Sequence, residues 1–88
     1  MTLRIELVPD EHGTTIRLIG RMQAQHVEEL KAQIGAGGAR IVLDLEELGL
    51  VDIDAVRFLG ICQAGGVSIV HCAPYINDWI AKERGRDT

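Results

Sequence analysis

Three aspartates carry the first chemical possibility in this sequence. Asp44 falls in the run RIVLDL, and Asp52 and Asp54 follow in LGLVDIDAVRFL, directly before a segment with helical spacing. Oxygen-rich groups of this kind hold Mg²⁺, and loops at the carboxyl ends of strands are where open α/β sheets take ligands. A plainer role competes. An acid at a helix start accepts hydrogen bonds from unpaired backbone N–H groups, and the helix dipole favours its charge. Capping is therefore the preferred reading, with a cation or small-ligand site at Asp44, Asp52 and Asp54 as the alternative.

The other reactive side chains lack a pattern. His12 is expected in a turn, His26 on the polar side of a helix and His71 on a strand beside Cys72, and no pair has the spacing of a zinc site. Cys62 and Cys72 lie in apolar stretches outside any C-x-x-C pair, which predicts inert buried thiols in a reducing compartment. Ser68 is the only serine and sits in a predicted strand without a nucleophile elbow. GAGGAR lacks the P-loop pattern and follows a helix, so it reads as a flexible connection. These residues predict neither catalysis nor a cofactor.

Positioning any such groups falls to a small core. The chain has 88 residues, 47% of them apolar, with one Phe, one Tyr and one Trp. A single domain built on Ile, Leu and Val follows. Nine basic residues against 13 acidic ones give a formal charge of −4, which argues against binding a phosphate backbone. No apolar run approaches the roughly 20 residues of a membrane span, and no apolar leader follows a basic start, so a cytoplasmic protein without membrane insertion is expected.

Leu3, Ile5 and Leu7 alternate with Arg4 and Glu6, PDEHG makes a turn, and TTIRLIG repeats the alternation. The two segments predict an antiparallel hairpin. From Gln23 the period becomes helical, with Val27, Leu30 and Ile34 on one face, until the GAGG of residues 35–38 ends it. RIVLDL is a strand apolar on both faces, which predicts a central position, covered on both sides or closed in by neighbours. A second helix carries Val56, Leu59 and Cys62 with Ala55 and Phe58 flanking, VSIVHC is a short strand, and a last helix from Pro74 carries Ile76, Trp79 and Ile80. Trp79 is assigned to the core. The alternation predicts an α/β fold in the order ββαβαβα, with a mixed, mostly parallel four-stranded sheet. The domain is expected to span 1–88, with its core at about 3–82 and a disordered tail over 83–88.

TTIRLIGRMQAQHVEELKAQI resembles the opening of a STAS domain, the fold of bacterial anti-sigma factor antagonists. There a strand ending in Leu-x-Gly-Arg leads into a helix with Glu-Glu-Leu. RIVLDLEELGLVDIDAVRFL resembles the centre of that domain, a buried strand with Leu-Asp-Leu, then a loop and an Asp-Ser-Ser-Gly-Leu type motif opening the next helix. The resemblance covers roughly Leu3 to Ile80.

It implies a regulatory module that binds protein and is not an enzyme. The implied docking surface is the loop and helix start over 49–58, with Gly49, Leu50, Asp52, Ile53, Asp54, Arg57 and Phe58 as its contact residues. The implied partner is an anti-sigma factor of the serine kinase type. Asp52 matches the motif's Asp, Ile53 and Asp54 take the two hydroxyl positions, Ala55 the Gly and Val56 the Leu. Neither Ile53 nor Asp54 has a hydroxyl, so the family's phosphorylation switch cannot operate there. An Asp54 carboxylate supplies about one charge against roughly 1.5 to 2 for phosphoserine. The chain also stops short of the further strand and helix of fuller STAS domains. That leaves a sheet edge less covered, so a homodimer formed through an edge or through the last helix is expected. A STAS-like subunit of a lipid-transport ATPase assembly satisfies the same sequence features.

Overall fold

The computed structural model describes residues 3–36 and 40–86. Two strands, β1 (Leu3–Asp10) and β2 (Gly13–Met22), pair antiparallel with Leu3 opposite Gly20 and Asp10 opposite Gly13. The Asp10 carboxylate closes the turn by accepting from the N–H groups of His12 and Gly13. Gly13 is obligatory there. Its φ is +151°, and a Cβ would stand 2.3 Å from the Arg40 carbonyl oxygen, because β2 starts tight against the segment entering the next strand.

The remaining elements are α1 (Ala24–Ala36), β3 (Ile41–Asp44), β4 (Leu48–Val51), α2 (Ile53–Ala64), β5 (Ser68–Val70) and α3 (Pro74–Arg86). The predicted order is present, with one strand more. LGLV, read from the sequence as loop, forms β4 and pairs in parallel with Gly20–Met22, while β3 pairs with Thr14–Arg17 of the same strand. Since β1 occupies the other edge of β2, β3 and β4 share one lane, broken by the turn at Glu46–Glu47. The register slips between Gly20 and Arg21 to admit β4, and Gly20 takes a φ of +103° at that slip. β5 pairs in parallel with β3, so β3 is central between β2 and β5.

One core joins all elements but the hairpin tip. Ile16, Leu18 and Met22 of β2, Ile41 and Leu43 of β3, Leu48, and Leu30, Val56, Leu59, Ile76 and Ile80 of the helices are buried together. The helices form a single layer, with α2 between α1 and α3. Because alternate strand residues face opposite ways, that layer covers only the Ile16 and Leu43 side. On the other side Arg4, Glu6, Thr15, Arg17 and Val42 are half-buried or exposed, and Arg17 bridges Glu6 and Glu47 across the face. Covering on both sides, one of the two expectations for β3, is not what makes it central.

Two further expectations change. The chain from Glu83 was expected as a tail, yet α3 continues to Arg86 and Glu83 is 8% exposed, held by Arg57 of α2 at 3.2 Å. Residues 87–88 of that tail lie outside the described residues, as do 37–39 of the glycine-rich connection. His26 is 8% exposed and not on a polar face. Its Nδ1 accepts the Gln23 N–H at 3.0 Å while the His26 N–H donates to the Gln23 carbonyl at 2.8 Å, so His26 holds the first turn of α1 as Glu or Gln does in a capping box. Trp79 is partly buried against the core, as assigned.

Candidate functional site

The parallel strands end, and the helices begin, at one end of the sheet. Asp52 is the hinge of that end. Its backbone is extended, as an N-cap requires, and one carboxylate oxygen accepts the Ala55 N–H of α2 at 2.9 Å. The other oxygen accepts the Ala24 N–H at the start of α1, also at 2.9 Å. The Asp52 N–H in turn donates to the Met22 carbonyl at 3.2 Å. One carboxylate thus serves two helix N-termini, where two dipoles favour its charge. The sequence predicted the cap on α2. The bond to α1 joins residues 28 apart, and nothing in local spacing announces it.

Around this hinge, Leu50 is 53% exposed and Ile53, the first residue of α2, 38%. Gly49 and Asp54 are exposed too. The Asp54 side chain makes no hydrogen bond or ion pair with the described residues, so its charge faces solvent from the first turn of α2. The Tyr75 hydroxyl of α3 donates to the Gly49 carbonyl, and the ring stays 49% exposed beside the loop. A depression of about 190 Å³ is lined by Arg21, Met22, Gln23, Leu50, Val51 and Asp52.

Two of the residues assigned to this surface behave otherwise. Phe58 is 6% exposed and belongs to the core, because it lies on the inward face of α2 with Ala55, Val56, Leu59 and Cys62. Arg57 is exposed but its Nε donates to Glu83, so it ties α2 to α3 at the margin of the surface. Tyr75 lies outside the predicted contact set, and the sequence leaves it open as an exposed aromatic anchor beside Trp79; the hydrogen bond to Gly49 brings it to this surface. Its position four before Trp79 on an amphipathic helix was the available signal.

The predicted acidic trio does not assemble. Both oxygens of Asp52 are engaged by backbone N–H groups, and Asp44 turns instead to His71, whose Nδ1 lies 3.1 Å from its carboxylate. Asp44, Glu46 and His71 are the set among the described residues that could hold a metal ion, with ligand atoms all within 4.8 Å of one another. His71 is not on a strand. β5 stops at Val70, and His71 adopts φ +55° in the bend that follows. Burial acts to raise the Asp44 pKa, but the Glu46 N–H, the His71 ring and the Arg17 charge outweigh it and hold the carboxyl below its ordinary 3.8. The thiols are poor nucleophiles. Burial pushes Cys62 up to about 11 and raises Cys72 as well. No helix among the described residues is long and apolar enough to cross a membrane.

No family model and no curated protein matches the sequence. Solved structures do match it. The unphosphorylated form of the anti-sigma factor antagonist SpoIIAA superposes with a TM-score of 0.65 at 21% identity, over 98% of this chain and 96% of that one. The STAS domain of an antisigma-factor antagonist from Rhodobacter sphaeroides gives 0.59 at 22% identity, over 78% of this chain and 86% of that one. A DUF3478-family protein of Shewanella loihica with a SpoIIAA-like fold gives 0.52 at 14% identity, over 98% and 79%. The β-hairpin, the lane shared by β3 and β4, and the three-helix layer together make this chain an α/β domain of the SpoIIAA-like, STAS fold.

Proposed function

We propose that this chain is a non-enzymatic, cytoplasmic regulatory module, a single domain over 1–88, that binds a partner protein through the surface of Gly49, Leu50, Ile53, Asp54 and Tyr75. The observation that carries the reading is the pairing of exposed apolar side chains with a fixed backbone. Leu50 of β4 and Ile53 of α2 stand out from a strand-to-helix junction held by the two Asp52 bonds and the Tyr75 hydroxyl. Apolar contacts on a preorganised backbone lose little entropy on docking, and Asp54 beside them selects a partner with complementary charge. The SpoIIAA and Rhodobacter proteins of this fold are anti-sigma factor antagonists, which favours a protein as the ligand. Since Ile53 and Asp54 carry no hydroxyl, this surface binds without a serine phosphorylation switch.

Affinity capture from the source cell, identification of the retained protein and calorimetric titration of that protein once purified test the proposal. Ile53→Arg is expected to leave the melting temperature unchanged and to weaken the titrated affinity at least tenfold. Unchanged affinity removes the surface from consideration. A cation-binding role has one observation behind it, the convergence of Asp44, Glu46 and His71. Titration with Zn²⁺ or Mg²⁺ under amide NMR separates the two, with shifts confined to those three residues favouring the cation.

A further inference from the structure

β1 forms an outer edge of the sheet among the described residues, and the direction of its free backbone groups can be worked out. The Thr14 N–H donates to the Arg40 carbonyl at 2.9 Å and the Gly20 N–H to the Glu47 carbonyl at 3.1 Å, both away from β1. The even-numbered residues of β2 therefore bond toward β3 and β4, and Thr15, Arg17 and Ile19 bond toward β1. Those three lie opposite Val8, Glu6 and Arg4. Leu3, Ile5 and Leu7 consequently turn their N–H and C=O groups outward, and Pro9, next in the series, has a carbonyl but no N–H to offer.

We propose that this edge pairs with the β1 of a second copy of the chain, antiparallel about a twofold axis at Ile5. That register sets Leu3 opposite the partner's Leu7, Ile5 opposite the partner's Ile5 and Leu7 opposite the partner's Leu3, so every outward N–H meets an outward carbonyl. It leaves Pro9 beyond the paired stretch. On the solvent face it sets Arg4 opposite the partner's Glu6 and Glu6 opposite the partner's Arg4. Charge selects the register. Moving the axis to residue 4 opposes Arg4 to itself, and moving it to residue 6 opposes Glu6 to itself, and like charges directly opposite are unfavourable. On the other face Leu7, 50% exposed in the single chain, is covered by the partner's Leu3. The edge is at the far side of β2 from the proposed docking loop, so the pair presents two such loops.

Sedimentation over a concentration series, with charge reversal at the two facing positions, tests the register. The unaltered chain is expected to move from 9.6 kDa toward twice that mass as concentration rises. Arg4→Glu and Glu6→Arg are each expected to stay at 9.6 kDa, because each opposes like charges across the pair, and since Glu6 also meets Arg4 and Arg17 within the chain the melting temperature of each variant is read beside its mass. An equimolar mixture of the two variants is expected to regain the doubled mass, since every facing pair is again of opposite sign. Leu7→Lys, at a half-exposed position, gives an independent loss of pairing without loss of melting temperature. An unaltered chain that stays single at millimolar concentration, charge variants that pair like it, or a mixture that stays single each overturns the proposal.

Discussion

Replacing Asp52 by alanine removes two helix caps with one substitution. Its carboxylate takes the Ala55 N–H and the Ala24 N–H, each at 2.9 Å. Loss of one N-cap costs about 1 kcal/mol, and loss of a charge at a helix N-terminus about 0.3–1 kcal/mol. Over two helices the sum is about 2.6–4 kcal/mol, which for a domain of this size lowers the melting temperature by roughly 10–30 °C. Urea denaturation followed by circular dichroism measures the loss. Amide exchange adds the location, because the Ala24 and Ala55 N–H groups are both expected to exchange faster. Asp52→Asn keeps one acceptor oxygen and is expected to lose about half as much as alanine. A loss for Asp52→Ala within the roughly 0.5 kcal/mol of an ordinary surface change refutes the double cap.

Phe58→Ala is expected to cost about 3–5 kcal/mol by chemical denaturation, as a buried aromatic does, while Ile53→Arg stays within about 0.5 kcal/mol. Asp44 is held below its ordinary pKa of 3.8, so its ionised form is favoured by folding. The stability this supplies is present above that value and lost as pH falls through the lower folded-state pKa. Asp44→Asn is accordingly expected to lower stability at neutral pH and to flatten the acid limb of the stability curve, read by urea titration at stepped pH. An acid limb identical to that of the unaltered chain contradicts the assignment.

The legible parts of this fold were those written in short-range periodicity. The alternation of Leu3, Ile5 and Leu7 and of Ile16 and Leu18 marked the hairpin, and the phase of Ala55, Val56, Phe58, Leu59 and Cys62 marked the inner face of α2. That phase itself places Phe58 inside. β4 was not legible, because four residues with a glycine at the second carry no alternation, and their pairing depends on the register slip at Gly20. The last turn of α3 was equally hidden. Its polar residues lack an apolar spacing, and Glu83 is buried through an ion pair with a residue 26 positions away. The Asp44 and His71 pair, 27 apart, exists only because β3 and β5 lie side by side. Long-range closure of this kind leaves no mark in local sequence.

The central claim is that the β4–α2 junction at the carboxyl end of the sheet, and no other surface, receives the partner. Amide shift mapping of the labelled chain against its purified partner tests that most directly. The expected result is shifts concentrated at Gly49, Leu50, Ile53, Asp54 and Tyr75. Shifts concentrated instead at the opposite end, around Thr14, Arg40 and Ser68, contradict it.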